Sequence, residues 1–261
     1  MKNTYPIEVK NLKFLYNSEK VLDDINITIE KGKFYSIIGP NGSGKTTLMK
    51  NICKILDANS GHIFINGKDI NKMDFKNISK SISVVSQDTN IDFDFSVMDI
   101  VLMGRNPYIK MFSTESFEDI KMAREAMEFL DVWRLKDKNI TSLSGGERQR
   151  VLIARAICQN TDIILLDEPI SHLDITYQIE LLNKLICLNH NKKITIISIL
   201  HDLNLASTYS DYIILMNKGK IVDIGTSEQV LTKENIKNVY KIKVDILLHP
   251  TSHKPYIIPL F

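Results

Sequence analysis

Cysteine is scarce in this chain. Cys53, Cys158 and Cys187 stand far apart in apolar surroundings, and none belongs to a C-x-x-C pair. That spacing offers neither a thiolate metal site nor a disulfide framework, so three reduced thiols packed in the core are expected. A surplus of charge is missing too. The 33 Lys and Arg against 31 Asp and Glu leave a net +2, and the basic residues are scattered apart from short pairs. Such a balance gives no footing for a nucleic-acid partner. Long apolar runs are absent: "IILL" and "ITIISIL" fall far short of the roughly 18 residues a membrane helix needs. The first residues, "MKNTYPIEVKNLKF", lack the apolar stretch of a signal peptide. These absences predict a cytosolic protein whose membrane role, if it has one, works through a partner. No repeat, low-complexity tract or linker interrupts the 261 residues, of which 44% are hydrophobic. One domain over 1–261, with an inserted subdomain, is expected.

What is there reads as α/β. Residues 7–30 hold alternating strand segments, "IEVKNLKFLY" and "INITIE". "KGKFYSIIG" is a turn and a short buried strand, and "KTTLMKNICKIL" continues as a helix. Asn66-Gly67 in "GHIFINGKDI" signals a hairpin. From about residue 88 to 160 the pattern turns helical. "FEDIKMAREAMEFLDV" sets Phe117, Ile120, Ala123, Met127 and Leu130 on one face, the signature of a helix packed on a core. Strands then return: "DIILLDEP" and "KITIISILHD" are continuous apolar runs, as in strands buried on both faces of a sheet, with the helix "DITYQIELLNKLICL" between them. "DYIILMNKGKIVDIG" reads as a late hairpin, "SEQVLTKENIKNVY" as short helices and "KPYIIPLF" as a last extended piece. The expected architecture is a mainly parallel core sheet built on residues 37–39, 82–86, 163–167 and 194–200. An N-terminal antiparallel β part and an inserted helical subdomain at about 88–160 complete it.

Three stretches carry chemistry. "GPNGSGKTT" runs through Gly39, Pro40, Asn41, Gly42, Ser43, Gly44, Lys45, Thr46 and Thr47, and fits the phosphate-binding pattern G-x-x-x-x-G-K-[ST]. Its glycines let the backbone curl so that successive N–H groups point at phosphate oxygens, and the helix that follows adds partial positive charge. Lys45 is expected to reach the β- and γ-phosphates and the Thr46 hydroxyl to bind Mg²⁺. "IILLDEP" ends a buried strand in Asp167, which can face Mg²⁺, followed by Glu168, which can polarise an attacking water. "LSGGERQR", residues 143–150, repeats the theme of glycines opening a helix about a hundred residues after the first loop.

In order and spacing, residues 39–47, Gln87, 143–150, 163–168, 171–174 and His201 resemble the ATP-binding subunit of an ABC transporter over essentially the whole chain. "LSGGERQR" is the most specific element. The resemblance implies ATP and Mg²⁺ as ligands and a homodimer packed head to tail. Each ATP would lie between the P-loop of one copy and the Ser144, Gly145 and Gly146 segment of the other. It implies that Gln87 contacts Mg²⁺ or water, that His201 contacts the γ-phosphate, that Asp174 links the two sites and that Tyr16 stacks on adenine. His172 falls in the same segment as Asp174 and receives no role. Ile170 departs from the threonine usual after Asp-Glu-Pro, at a position outside the chemistry.

"GRNPY", Gly104 to Tyr108, and the tail "VYKIKVDILLHPTSHKPYIIP" resemble the subgroup that imports iron–siderophore complexes, haem or cobalamin. The chain has no room for the added regulatory domain of many sugar importers. In that subgroup, residues 95–112 would meet two integral-membrane permease subunits, and an extracytoplasmic binding protein would act indirectly. The ATPase would sit on the cytoplasmic face of the membrane. Read from the residues alone, the alternative for "GRNPY" is a bare turn ended by Pro107. An ATPase of another metal-ion importer, or a soluble assembly ATPase of similar length, fits the same motifs. DNA-acting relatives usually insert a long coiled coil and translation factors fuse two such domains, neither of which is present. Intact Lys45, Asp167, Glu168 and His201 argue against a nucleotide sensor that does not hydrolyse.

Overall fold

A computed structural model of the chain describes residues 5–58, 60–87, 93–110, 113–171 and 173–260. In chain order, β1 (Ile7–Tyr16) and β2 (Glu19–Ile29) form a hairpin, and β3 (Phe34–Ile38) leads through a loop into α1 (Lys45–Ile52). There follow β4 (Ser60–Ile65), β5 (Lys68–Asp69), α2 (Phe75–Ser81) and β6 (Ile82–Val85). A helical stretch holds α3 (Val97–Leu102), α4 (Phe117–Phe129) and α5 (Gly145–Cys158). The chain returns to the sheet with β7 (Ile163–Asp167), α6 (Ile175–Lys192), β8 (Thr195–Ile199), α7 (Leu203–Tyr209), β9 (Tyr212–Asn217) and β10 (Lys220–Gly225). It ends with α8 (Ser227–Val230), α9 (Lys233–Tyr240), β11 (Val244–Leu248) and β12 (Pro255–Pro259).

Six strands make the core sheet in the order β10-β9-β3-β8-β7-β6, parallel except for the edge strand β10. Every residue of β3, β7 and β8 is buried. Alternate side chains serve opposite faces, as the two-residue period of a strand requires. Ile37, Leu165 and Ile197 pack toward α1 and the four-stranded sheet β2-β1-β4-β5, while Ile38, Leu166 and Ile196 pack toward the helices. Residues 66–67 turn the β4–β5 hairpin with φ of 49° and 75°, the double left-handed conformation that Asn-Gly adopts most readily.

Three local expectations are corrected. α1 stops at Ile52 rather than running through "KIL": Lys54 takes φ 58° and turns its ammonium onto the carbonyls of Ile70 and Met73. The apolar stripe of α4 begins at Ala123, because Phe117 is 83% and Ile120 43% exposed. The inward place in the first turn belongs to Asp119, which pairs with Arg105. Cys187 is exposed, since the buried stripe of α6 runs through Leu181, Leu185 and Leu188 and passes it by. Cys53 and Cys158 are buried as expected.

Candidate functional site

The loop after β3 is shaped by three glycines. Gly39 has φ 151°, and a Cβ there would collide with the carbonyl oxygen of Met216; Gly42 and Gly44 have φ 75° and 99°. The turn between β9 and β10 buttresses the loop, with Gly219 N donating to the Ser43 carbonyl at 3.0 Å. α1 then starts directly from Gly44 with no side-chain cap, so its first N–H groups are left for a ligand. Ser43 Oγ is buried without a hydrogen-bond partner. An orphaned hydroxyl and uncapped amides in one cradle suit phosphate oxygens.

Lys45 is 6% exposed and its Nζ donates to the carbonyls of Gly39 at 2.8 Å and Pro40 at 3.1 Å. Burial lowers its pKa, opposed by the charges of Glu168 and Asp167. Thr46 Oγ1 donates to Asp167 Oδ1 at 3.3 Å. Asp167 is 4% exposed, and burial raises its pKa against that hydrogen bond.

Glu168 is the pivot of the arrangement. It follows β7 with φ 52°, a left-handed backbone unusual for a side-chain-bearing residue. The turn is closed by Ser171, whose N–H and hydroxyl both donate to the Glu168 carbonyl. Glu168 Oε1 lies 2.5 Å from His201 Nε2, and its Oε2 accepts from Gln87 Nε2 at 3.0 Å. Gln87, Glu168 and His201 sit beyond the carboxyl ends of β6, β7 and β8, where open α/β sheets bind ligands. With Asn41 to Thr47 and Val21 they line a cleft of about 540 Å³. Val21 was not signalled by the sequence: it is one more apolar residue of β2, and only the register of that strand brings it to the rim.

The other residues singled out lie elsewhere. Tyr16 ends β1, 43% exposed, with its ring edge-on to Phe14 at 4.8 Å, and it does not line the cleft. Ser144 caps α5 in a reciprocal box with Glu147, its hydroxyl donating to Glu147 Oε2 at 2.9 Å. A Cβ on Gly145 would meet nothing within 4 Å, whereas one on Gly146 would press on Leu173. Asp174 caps α6, accepting from Tyr177 N at 3.1 Å. His172 lies outside the described residues. One chain thus holds a phosphate cradle and, apart from it, an exposed helix N-terminus with an open glycine.

Comparison with known proteins decides what this pairing belongs to. The family model described as "ABC transporter" matches residues 22–171. The chain belongs to the ABC transporter family. It is an ABC ATPase, and it binds ATP. Among its relatives is the iron(3+)-hydroxamate import ATP-binding protein FhuC of Bacillus subtilis, 37% identical over 92% of this chain and 89% of that one. The hemin import ATP-binding protein HmuV of Hahella chejuensis is 36% identical over 91% of this chain and 93% of its own. A solved metal-chelate type ABC transporter in an inward-facing conformation matches with TM-score 0.85 at 32% identity, covering 98% of both chains. The ABC family is the one that the motifs resembled, and the ABC fold is the α/β arrangement they implied. Among the described residues no helix is long and apolar enough to cross a membrane.

Proposed function

We propose that this chain is the ATPase subunit of an importer for a ferric siderophore, haem or cobalamin. It would act as a homodimer on the cytoplasmic face of the membrane, beneath two permease subunits. The likeness to hydroxamate and hemin import subunits across nearly the whole of both chains carries this reading, because it extends well past the ATPase motifs.

In this reading the amides of residues 39–47 and the start of α1 hold the ATP phosphates, with Lys45 on the β- and γ-phosphates. Thr46 and Asp167, already hydrogen-bonded to each other, would hold Mg²⁺, with Gln87 at its edge; the ion supplies neutralising charge to the phosphates. Glu168 takes the proton of the attacking water as general base. His201 and Gln87 grip its two oxygens and orient it. Tyr16 stacks on the adenine once the nucleotide extends past the cleft. Ser144, Gly145 and Gly146 of a second copy close the site over the γ-phosphate, and Asp174 lies beside the closing seam. The segment 95–112, of which 111 and 112 lie outside the described residues, would meet the permeases through its exposed positions, such as Asn106 and Lys110; the extracytoplasmic binding protein delivers cargo without touching this chain.

Uptake of ferric siderophores, haem and cobalamin, with manganese and zinc as controls, tests the reading in cells carrying wild type or Lys45→Ala at equal levels. Loss of one iron-chelate, haem or cobalamin signal is expected. Loss of the metal-ion signal alone would move the chain to another importer group, and no change anywhere would reject the import role for this panel.

A further inference from the structure

The "GR" of residues 104–105 is not at the surface. Gly104 and Arg105 form part of a 3₁₀ turn after α3 and are both buried. Gly104 lies so close to α5 that a Cβ would collide with the Arg155 carbonyl oxygen and come within 3.2 Å of Gln159 N. Arg105, 6% exposed, spreads its guanidinium over three partners on two helices. Its Nε donates to Asp119 Oδ1 at 2.8 Å, and its Nη1 donates to the carbonyls of Cys158 at 3.0 Å and Gln159 at 3.4 Å. Those carbonyls end α5, where intrahelical donors run out and partial negative charge favours a cation. Asp119 uses its other oxygen to cap α4, accepting from Ser116 N at 2.9 Å and Ser116 Oγ at 2.6 Å. The Tyr108 ring covers the guanidinium at 4.1 Å. Only a planar, multiply donating cation fills this position.

The far end of α5 is the open N-terminus at Ser144, Gly145 and Gly146. The helix has 14 residues, so the two ends stand about 21 Å apart. Gln159 ties the near end to α2 and the start of β6, its Nε2 donating to the carbonyls of Ser79 and Ile82. That end is therefore anchored, with the Arg105 contacts beside it.

We propose that this anchored end of α5 is a pivot to which Gly104 and Arg105 clamp the segment 97–108, so that a push on this segment swings the Ser144–Gly146 end. Arg105 is a positioning residue. What pushes rests on the importer reading above; the clamp rests on contacts within the chain. Asn106 and Lys110, which are exposed, are left to face a partner.

The test compares wild type with Arg105→Gln, Arg105→Lys and Asp119→Asn. Hydrogen exchange of the purified full chain is read by mass spectrometry, and ATP affinity is measured on the same samples. For Arg105→Gln, exchange rises at least 10-fold in both 103–108 and 145–150, with residues 42–47 unchanged and ATP affinity within twofold. Arg105→Lys, which keeps one donor group and the charge, falls between. Asp119→Asn, which keeps an acceptor, serves if Arg105→Gln does not fold. A rise confined to 103–108, or one spread evenly over the chain with a lowered Tm, would overturn the clamp. In cells, uptake of the affected cargo should fall at least 10-fold in Arg105→Gln while ATP binding persists. Unchanged uptake alongside loosened 145–150 amides would show that the clamp does not couple. Wild type inactive on every cargo would sink the importer reading instead, and leave the exchange result to decide the clamp.

Discussion

Glu168 combines a left-handed backbone with a side chain gripped at both oxygens. The turn aims the carboxylate and the Gln87 and His201 contacts hold it, which suits the general-base role proposed for it. Glu168→Gln should therefore lower ATP hydrolysis by roughly 10²–10⁴-fold with ATP binding intact, measured as phosphate release against nucleotide affinity. Asp167 bears an opposite tension. Burial holds its pKa above the ordinary carboxylate value, so its ionised form at neutral pH costs the fold stability. By the sign of that shift the cost vanishes as pH falls through the raised pKa and persists above it. Asp167→Asn should raise the thermal midpoint of the nucleotide-free chain at pH 7, because it removes a charge that burial penalises, while weakening Mg²⁺-dependent ATP binding. Scanning calorimetry with and without Mg-ATP checks both.

At the scale of elements, α5 presents one end to solvent and anchors the other. Ser144→Arg places a bulky cation where the helix start is open, and should abolish hydrolysis while leaving nucleotide binding to the single chain. Loss of that binding would reject a site shared between two copies. At the anchored end, hydrogen bonds from Ser116 and then Arg105 hold the Asp119 carboxyl down at about 2. A lowered pKa means stability that is full above the unfolded value near 4 and lost as pH falls through about 2. The Tm gap between wild type and Asp119→Asn should accordingly narrow between about pH 4 and pH 2. This clamp was not legible in the sequence, and the reason is general. The loop 39–47, the strand ending in Asp167 and the capped glycines at 144–146 are contiguous, so their local chemistry is visible in the letters. Arg105 and Asp119 are 14 residues apart, and Arg105 meets carbonyls more than 50 residues away. Only packing joins them. The same holds for Phe117 and Ile120, whose periodicity matched a buried stripe although an ion pair occupies the inward place. Cys187 shows that apolar neighbours in sequence do not place a residue in the core.

Across the whole molecule, the phosphate cradle depends on parts remote in the chain. β3, which carries it, pairs on one side with β8 and on the other with β9. The loop itself is braced by Gly219, and a Cβ on Gly39 would strike Met216. Both neighbours of β3 lie more than 150 residues downstream, and pairings of such separation form slowly. During synthesis the first fifth of the chain, with its nucleotide loop, emerges long before anything exists to seat it. The N-terminal hairpins can form early, since their partners are close by. The brace on the cradle is missing until residue 219 has cleared the ribosome, so a chain truncated before it should bind nucleotide more weakly than the full chain.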